Sequence, residues 1–222
     1  MKTALVTGAN RGIGLELVRQ MKRLGYQMIA VCRQSSPELD AEQVQVEEGI
    51  DVTSAGDLKA LSGRLGDIRL DVLINNAGLL KPSSLEGIED ELDDWRAQLE
   101  VNALAPIRVT SALAGNLSRG SRVIVITSRM GSIADNSSGG HMAYRMSKAA
   151  INAATVSMAH ELGQKGIAVG LLHPGYVRTG MTGNTGHVDA REAAEGLVAR
   201  IEELDLASTG SFRHANGETL PW

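Results

Sequence analysis

Tyr144 and Lys148 stand four residues apart in the stretch Tyr144-Arg145-Met146-Ser147-Lys148. On an α-helix this spacing places both side chains on one face, one turn from each other. A phenol has an ordinary pKa of about 10 and is a poor proton relay near neutral pH, but a nearby ammonium favours the phenolate. We therefore expect Lys148 to lower the pKa of Tyr144. The spacing also arises by chance on many helices, so its meaning depends on the rest of the chain.

A glycine-rich turn near the N-terminus lies between a predicted buried strand, residues 3–7, and an amphipathic helix, residues 15–24. The turn contains Gly8, Gly12 and Gly14. Backbone N–H groups at the start of a helix attract an anion, and glycines let the backbone approach a pyrophosphate. The order Gly-x-x-x-Gly-x-Gly differs from the usual dinucleotide fingerprint. Its position between strand and helix nevertheless predicts a phosphate-binding turn for a nucleotide cofactor.

Two arginines indicate which nucleotide this turn would hold. A domain that prefers NAD carries an acidic residue about twenty positions after the glycine turn, where it binds the ribose 2′-hydroxyl. This chain has Arg33 there, and Arg11 lies inside the turn itself. Two guanidinium groups suit a 2′-phosphate, so the sequence favours NADP(H), with NAD(H) as the other possibility. The alternative is that both arginines are ordinary surface residues.

Strand and helix patterns alternate along the whole chain. Further strands are predicted over residues 27–32, 44–50, 70–74, 122–127 and 168–172, with a short last strand near 211–212; helices are predicted over 54–65, 90–117, 142–164 and 189–206. Such alternation indicates an α/β fold with a mostly parallel sheet covered by helices on both faces. The length fits one domain spanning residues 1–222. Residues 176–188 hold three glycines and are expected to form a mobile segment, here called the substrate flap.

Polar residues follow three of the predicted strands. Asn75-Asn76-Ala77-Gly78 follows the fourth, Ser128 the fifth and His173-Pro174-Gly175 the sixth. Ligands of open parallel sheets bind at the carboxyl ends of the strands, although each of these segments alone would also suit a plain turn. Asn102 lies within the long helix predicted over 90–117, in an apolar setting. Pro106 should kink that helix, and Asn102 could simply bond to the backbone.

Composition excludes several classes of protein. The net charge is −4 and no basic run is present, which argues against binding nucleic acid. No apolar stretch is long enough to span a membrane. Cys32 is the only cysteine, so no intramolecular disulfide forms, as is typical of a cytoplasmic protein. The histidines at 141, 160, 187 and 214 lack metal-ligand spacing, and no metal site is expected.

These motifs together resemble those of the short-chain dehydrogenase/reductase family. They are the turn Gly8 to Gly14, Asp51, the segment 75–78, the set Asn102, Ser128, Tyr144 and Lys148, and the segment Pro174 to Thr179. The resemblance runs nearly from end to end. Within the family, Tyr-Arg-x-Ser-Lys and the ending Gly217-x-x-Leu220-Pro221-Trp222 look most like the C-factor and sniffer-type carbonyl reductases. The family has a Rossmann-type, doubly wound fold with a seven-stranded sheet, which we expect here.

The resemblance implies roles for individual residues. The catalytic residues would be Asn102, Ser128, Tyr144 and Lys148, and the cofactor-binding residues Gly8, Asn10, Arg11, Gly12, Ile13, Gly14, Arg33, Asp51, Val52, Asn76, Ala77, Gly78, Tyr144, Lys148, Pro174, Gly175, Val177 and Thr179. The implied reaction is hydride transfer between NADP(H) and a small carbonyl/alcohol pair. Tyr144 would be the general acid, Ser128 would bind the carbonyl oxygen, and Asn102 would hold a water that relays protons to Lys148. Ser132 is the competitor of Ser128.

Other interpretations stay open at this point. One is a redox-silent sensor or signalling protein that binds NADP(H), and another is a sugar-nucleotide epimerase or dehydratase, which the glycine spacing and short C-terminal region disfavour. Many family members form homodimers or homotetramers through the helices that correspond to residues 90–117 and 142–164. The alanines at 149, 150, 153 and 154 suit such an interface, but they equally suit packing on the chain's own sheet.

Overall fold

The strands alternate with helices as the sequence pattern predicts, and the computed structural model describes all 222 residues. The strands are β1 (Thr3–Thr7), β2 (Gln27–Val31), β3 (Gln45–Glu47), β4 (Val72–Asn75), β5 (Arg122–Ile126), β6 (Ala168–His173), β7 (Val177–Arg178), β8 (Val188–Asp189) and β9 (Phe212–His214). The α-helices are α1 (Gly12–Arg23), α2 (Pro37–Asp40), α3 (Ala55–Leu65), α4 (Ile88–Leu99), α5 (Ala105–Ala112), α6 (Met142–Gly163) and α7 (Ala190–Glu203). None of the helices is both long and apolar enough to cross a bilayer.

Seven strands form one sheet in the order β3-β2-β1-β4-β5-β6-β9. Every neighbouring pair in it is parallel. The chain moves outward from β1 in one direction and from β4 in the other, so the strand order reverses between these two central strands. A crevice for ligands opens at the carboxyl ends of the strands at such a switch point. The predicted doubly wound α/β fold with a seven-stranded parallel sheet is therefore confirmed.

Alternate residues of each strand face opposite sides of the sheet, and each side has its own core. In β1, Ala4 and Val6 pack with α1 and α7, whereas Leu5 packs on the other side with α3, α5 and α6. All three side chains are fully buried. Strands buried on both faces read as continuous apolar runs, which explains why the strand positions could be predicted from the sequence.

The long helix predicted over residues 90–117 is present in part: helical structure is continuous from Ile88 to Ala112, but it contains a π-helical turn and ends before residue 117. The structure contains α4, then one π-helical turn (Glu100–Leu104), then α5 and a short 3₁₀ turn (Ala114–Asn116). The prediction took a kink at Pro106, but the break is a widened turn that lies just before the proline. π-Turns of this kind are frequent at functional sites, and this one contains Asn102.

The substrate flap has secondary structure of its own. Strands β7 and β8 pair in parallel, with Val177 opposite Val188, and a 3₁₀ turn (Gly180–Thr182) lies between them. The Thr182 hydroxyl donates to the carbonyl oxygen of Val177 at 2.7 Å and accepts the Thr179 N–H at 3.2 Å. These bonds fold the segment into a compact unit beside the carboxyl end of β6.

Candidate active site

Lys148 and Tyr144 lie on the buried side of α6, where they are 5% and 9% exposed. The Lys148 Nζ donates a hydrogen bond of 3.0 Å to the carbonyl oxygen of Ile126, the last residue of β5. The same Nζ lies 5.7 Å from the centre of the Tyr144 ring. The end of β5 therefore holds the lysine beside the phenol, as the four-residue spacing predicts.

Ser128 lies two residues beyond the end of β5, in an extended conformation. Its Oγ accepts the Met130 N–H at 3.1 Å, and its side chain lies near enough to the Tyr144 phenol to act on the pKa of that phenol. The competing Ser132 instead accepts the Asp135 N–H at 3.1 Å and closes a turn. The structure thus brings Ser128, and not Ser132, to the tyrosine.

Burial dominates the acid–base properties of this pair. It raises the pKa of Tyr144 to about 12, although the neighbouring Ser128 acts in the opposite direction. Burial also lowers the pKa of Lys148 to about 8, because the ammonium loses its hydration. The expectation that Lys148 lowers the pKa of Tyr144 stays a prediction, because burial is the largest cause of the shift in this structure. At neutral pH the phenol keeps its proton, as a general acid must.

Asn102 uses its side chain to hold other parts of the site. Its Oδ1 accepts the Leu79 N–H at 2.8 Å, and its Nδ2 donates to the Leu79 carbonyl at 2.7 Å and to the Ser147 Oγ at 3.0 Å. Pro106 follows four residues later and has no N–H for the main-chain carbonyl of Asn102. The atom of Asn102 that lacks an α-helical donor is therefore this carbonyl oxygen, and a relaying water would bind there rather than at the amide.

The glycine turn is locked against the segment that follows β4. Thr7 Oγ1 accepts the N–H groups of Asn76 and Ala77 at 3.0 and 3.1 Å, and Asn76 Nδ2 donates to the carbonyl oxygens of Thr7 and Gly8. A Cβ on Gly14 would lie 2.2 Å from the Gly8 carbonyl oxygen. Only glycine at this position lets helix and turn approach so closely.

The N-terminus of α1 faces the crevice with its backbone donors free. The first hydrogen bond of the helix runs from the Leu15 N–H to the Arg11 carbonyl, so the N–H groups of Gly12, Ile13 and Gly14 have no partner within the helix. No acidic residue lies in the first turn. This helix end can receive a phosphate group.

The two arginines are exposed beside this helix end. Neither Arg11 nor Arg33 forms a side-chain ion pair. Asn10 donates a hydrogen bond of 2.9 Å to the Gln34 carbonyl, which connects the glycine turn to the segment that follows β2. Asp51 accepts bonds from the N–H and hydroxyl of Thr53 at 2.9 and 2.7 Å. These bonds, with a weaker effect of Arg33, lower the pKa of Asp51.

The substrate flap reaches over both halves of the crevice. A Cβ on Gly12 would meet the Thr179 methyl group at 3.5 Å, and a Cβ on Gly78 would meet Met181 Cε at 3.7 Å and Asn102 Oδ1 at 3.5 Å. Pro174 and Gly175 directly follow β6, and Gly175 adopts a φ of +95° that favours glycine. Val177, also predicted as a cofactor-binding residue, is buried at 3% exposure and contributes to the base of the flap.

Sequence reasoning gave no role to two residues that position the site. Ser147 is fully buried, accepts from Asn102 Nδ2 and donates to the Tyr144 carbonyl at 2.8 Å. Ser83 accepts the Ala143 N–H at 3.1 Å and so caps the start of α6, which has no side-chain cap of its own. Ser147 stands inside the Tyr-x-x-Ser-Lys motif, which was a usable signal; the contact of Ser83, sixty residues away, had none.

Known proteins are similar in sequence to all or most of this chain. The dehydrogenase of 1-hydroxy-2-glutathionyl-2-methyl-3-butene from Rhodococcus sp. (strain AD45) is 37% identical over 228 residues, and the alignment covers 100% of both chains. The C-signal of Myxococcus xanthus is 43% identical over 155 residues, which are 69% of this chain and 93% of that protein.

Solved structures are also similar to this chain over its whole length. The NADPH-bound carbonyl reductase from chicken fatty liver superposes with a TM-score of 0.90 at 28% identity, covering 100% of this chain and 99% of that one. The carbonyl reductase Sniffer of D. melanogaster gives a TM-score of 0.90 at 31% identity, with 100% of each chain covered. The sequence model described as short chain dehydrogenase matches residues 2–190. With this match, its fold and its Ser128, Tyr144 and Lys148, the chain belongs to the short-chain dehydrogenase/reductase family of oxidoreductases.

Proposed function

We propose that the protein reduces the carbonyl group of a small molecule with NADPH. One observation carries this proposal: a buried phenol whose pKa is raised, so that it keeps its proton at neutral pH, lies beside Ser128 and Lys148. A general acid in that state can protonate the alkoxide that forms when a carbonyl accepts a hydride. The carbonyl reductases that share the fold support the same direction of reaction.

The residues around the crevice fit NADP(H). The free N–H groups of Gly12, Ile13 and Gly14 would hold the pyrophosphate, and the unpaired Arg11 and Arg33 would bind the 2′-phosphate. The adenine would lie near Asp51 and Val52, whereas the segments 76–78 and 174–179 would border the nicotinamide. When bound, the cofactor supplies the hydride.

The chain's own groups would complete the reaction. Ser128 would donate a hydrogen bond to the carbonyl oxygen and stabilise the negative charge that grows there in the transition state. Tyr144 would then transfer its hydroxyl proton to that oxygen. Lys148 would hold the cofactor's ribose beside Tyr144 and pass a proton back to the phenolate, with a water on the Asn102 carbonyl as the next donor.

The first test is a fluorescence titration of the purified protein with NADPH and with NADH, followed by a panel of aldehydes, ketones and quinones. We expect tighter binding of NADPH and oxidation of NADPH that depends on the carbonyl. Tyr144→Phe should abolish turnover and leave the dissociation constant for NADPH within about twofold, because the phenol ring still packs in place. Full activity in this variant would contradict the assignment of Tyr144.

Two relatives favour alternatives that the same experiment distinguishes. The similarity to the Myxococcus C-signal favours a redox-silent signalling protein, which would bind nucleotide tightly and oxidise none on any carbonyl. The similarity to the Rhodococcus dehydrogenase favours alcohol oxidation, which would require the deprotonated phenol. The rate of alcohol oxidation should then rise steeply between about pH 8 and pH 11. The panel of compounds should include the glutathionyl alcohol.

We further propose that the protein is cytoplasmic and pairs with a second copy through α4, α5 and α6. Leu104 and Met146 are large apolar side chains on this surface and are 48% and 43% exposed. Ala150 and Ala153 of α6 are also exposed, so they do not pack on the chain's own sheet. Light scattering coupled to gel filtration would show a dimer or tetramer if this surface is covered, and Leu104→Glu should shift the protein toward monomer.

A further inference from the structure

Arg145 directly follows the tyrosine of the active site, yet its guanidinium points to the loop that precedes the helix. Nε donates to the carbonyl oxygens of Gly139 and Gly140, both at 3.1 Å. Nη2 donates to the Ser138 Oγ and the Gly139 carbonyl, both at 3.0 Å, and Nη1 reaches the Met130 carbonyl at 3.4 Å. All five bonds end on residues 130–140, here called the 130–140 loop.

This loop has little else to hold it. Every residue from Ile133 to Gly140 is exposed. The last three positions before α6, Gly139, Gly140 and His141, have left-handed φ values of +62°, +69° and +48°. Such values are unfavourable for a histidine, so the conformation needs support from outside the turn. The other interactions are local turns, an ion pair of Asp135 with Arg129 at 3.2 Å, and a bond from the Ala134 N–H to the Trp222 carbonyl at 2.8 Å.

The loop joins Ser128 to Tyr144, so it forms a wall of the site where a carbonyl compound would bind. Ile133 on this wall is 82% exposed and offers an apolar surface. No carboxylate pairs with Arg145, and its donors are committed to the loop. Arg145 is therefore placed to shape the pocket and not to bind an anionic substrate.

We propose that Arg145 is a positioning residue that fixes the 130–140 loop to the turn of α6 that carries Tyr144, and so determines the affinity for the carbonyl substrate. The inference rests on the proposed function. A planar fork with five N–H donors can serve several carbonyl oxygens at once, whereas a lysine ammonium on a flexible stem cannot. Arginine specifically is required, and positive charge alone does not suffice.

The experiment compares the full-length R145K and R145M variants with wild type. Arg191→Met is the control, because Arg191 lies on α7 and is 69% exposed with one ion pair to Glu195. The readouts are kcat and KM for 4-nitrobenzaldehyde, the dissociation constant of NADPH, the melting temperature, and amide hydrogen exchange of residues 130–141.

We expect R145M to raise KM about tenfold or more, because several charge-assisted bonds are lost, with NADPH affinity within about twofold of wild type. Exchange should accelerate in residues 130–141 alone, and R145K should resemble R145M, while Arg191→Met changes neither exchange nor kinetics. Unchanged exchange in this loop, full function in R145K, or an equal loss of NADPH affinity would overturn the proposal. If wild type reduces no carbonyl, the proposed function fails, but the exchange comparison still decides whether Arg145 holds the loop.

Discussion

Lys148 Nζ lies 5.7 Å from the centre of the Tyr144 ring, and its one hydrogen-bond acceptor is a backbone carbonyl of β5. No carboxylate accompanies this buried ammonium. A charge in such surroundings is costly, which is why the pKa of Lys148 falls to about 8. The site thus keeps an unfavourable charge in the free protein, where cofactor hydroxyls can later solvate it.

Replacing Lys148 by methionine should stabilise the protein while abolishing turnover. Between pH 8 and 10.5 the unfolded chain binds a proton that the folded chain does not, so the free energy of unfolding rises with pH in that window. At pH 7 Lys148→Met should therefore be more stable than wild type, by up to about 3 kcal/mol. Urea denaturation at pH 7 and pH 9 measures the free energy of unfolding of both proteins. The difference between the variant and wild type should be smaller at pH 9 than at pH 7. A variant less stable than wild type at pH 7 would refute the argument.

Introducing a backbone N–H group four residues after Asn102 should slow the reaction. Pro106→Ala supplies an N–H that can reach the Asn102 carbonyl and close the turn as an ordinary α-helix. We expect kcat for carbonyl reduction to fall about tenfold because this carbonyl is no longer free to hold a water, with the melting temperature unchanged or higher. Steady-state kinetics and thermal denaturation check this. The control is Pro37→Ala at the start of α2; unchanged kcat in Pro106→Ala would contradict a role of the free carbonyl.

Two glycine-to-alanine changes should have opposite effects. Gly14→Ala places a methyl group 2.2 Å from the Gly8 carbonyl and 2.6 Å from Asn76 Nδ2, so it should destabilise the protein by roughly 2 kcal/mol and eliminate nucleotide binding. Gly63→Ala on the exposed face of α3 meets nothing within 4 Å and should stabilise it by about 0.5–1 kcal/mol. Chemical denaturation of both variants provides the comparison. Nucleotide binding by Gly14→Ala at wild-type strength would show that the turn is not the phosphate site.

The two exposed arginines should distinguish the nucleotides. Arg33→Ala removes an exposed guanidinium that forms no ion pair and acts only weakly on Asp51, so its stability cost should be small. We expect the dissociation constant for NADPH to rise at least tenfold and that for NADH to stay within twofold, because a charge-assisted bond to phosphate is lost. Arg11→Ala should act in the same direction. Fluorescence titration with both nucleotides tests this. An equal rise in the dissociation constant for NADH would mean that the arginines do not bind the 2′-phosphate.

The order of strands and the approximate site could be predicted because both depend on local patterns. Apolar runs mark the strands, and the carboxyl ends of parallel strands must meet at one edge, which brings together Ser128, Gly78 and Gly175. The four-residue spacing of Tyr144 and Lys148 needs only the geometry of a helix. For these features the sequence neighbours of each residue carry enough information.

Features that depend on distant contacts could not be predicted. The π-turn at Asn102 is held by bonds to Leu79 and Ser147, which lie 23 and 45 residues away. The raised pKa of Tyr144 follows from burial, which no motif encodes. Strands β7 and β8 have two residues each, too few to produce a periodic pattern in the sequence. Their pairing could therefore not be predicted.

The position of the substrate flap bears on the order in which the nucleotide and the carbonyl compound bind and leave. Thr179 lies against Gly12 and Met181 against Gly78, at opposite ends of the groove that the nucleotide would occupy. A nucleotide in that groove can enter or leave only when these contacts open, whereas the carbonyl compound approaches from the side of Ile133. We therefore expect the nucleotide to bind before the carbonyl compound and to leave after the product, an order that product-inhibition kinetics would show.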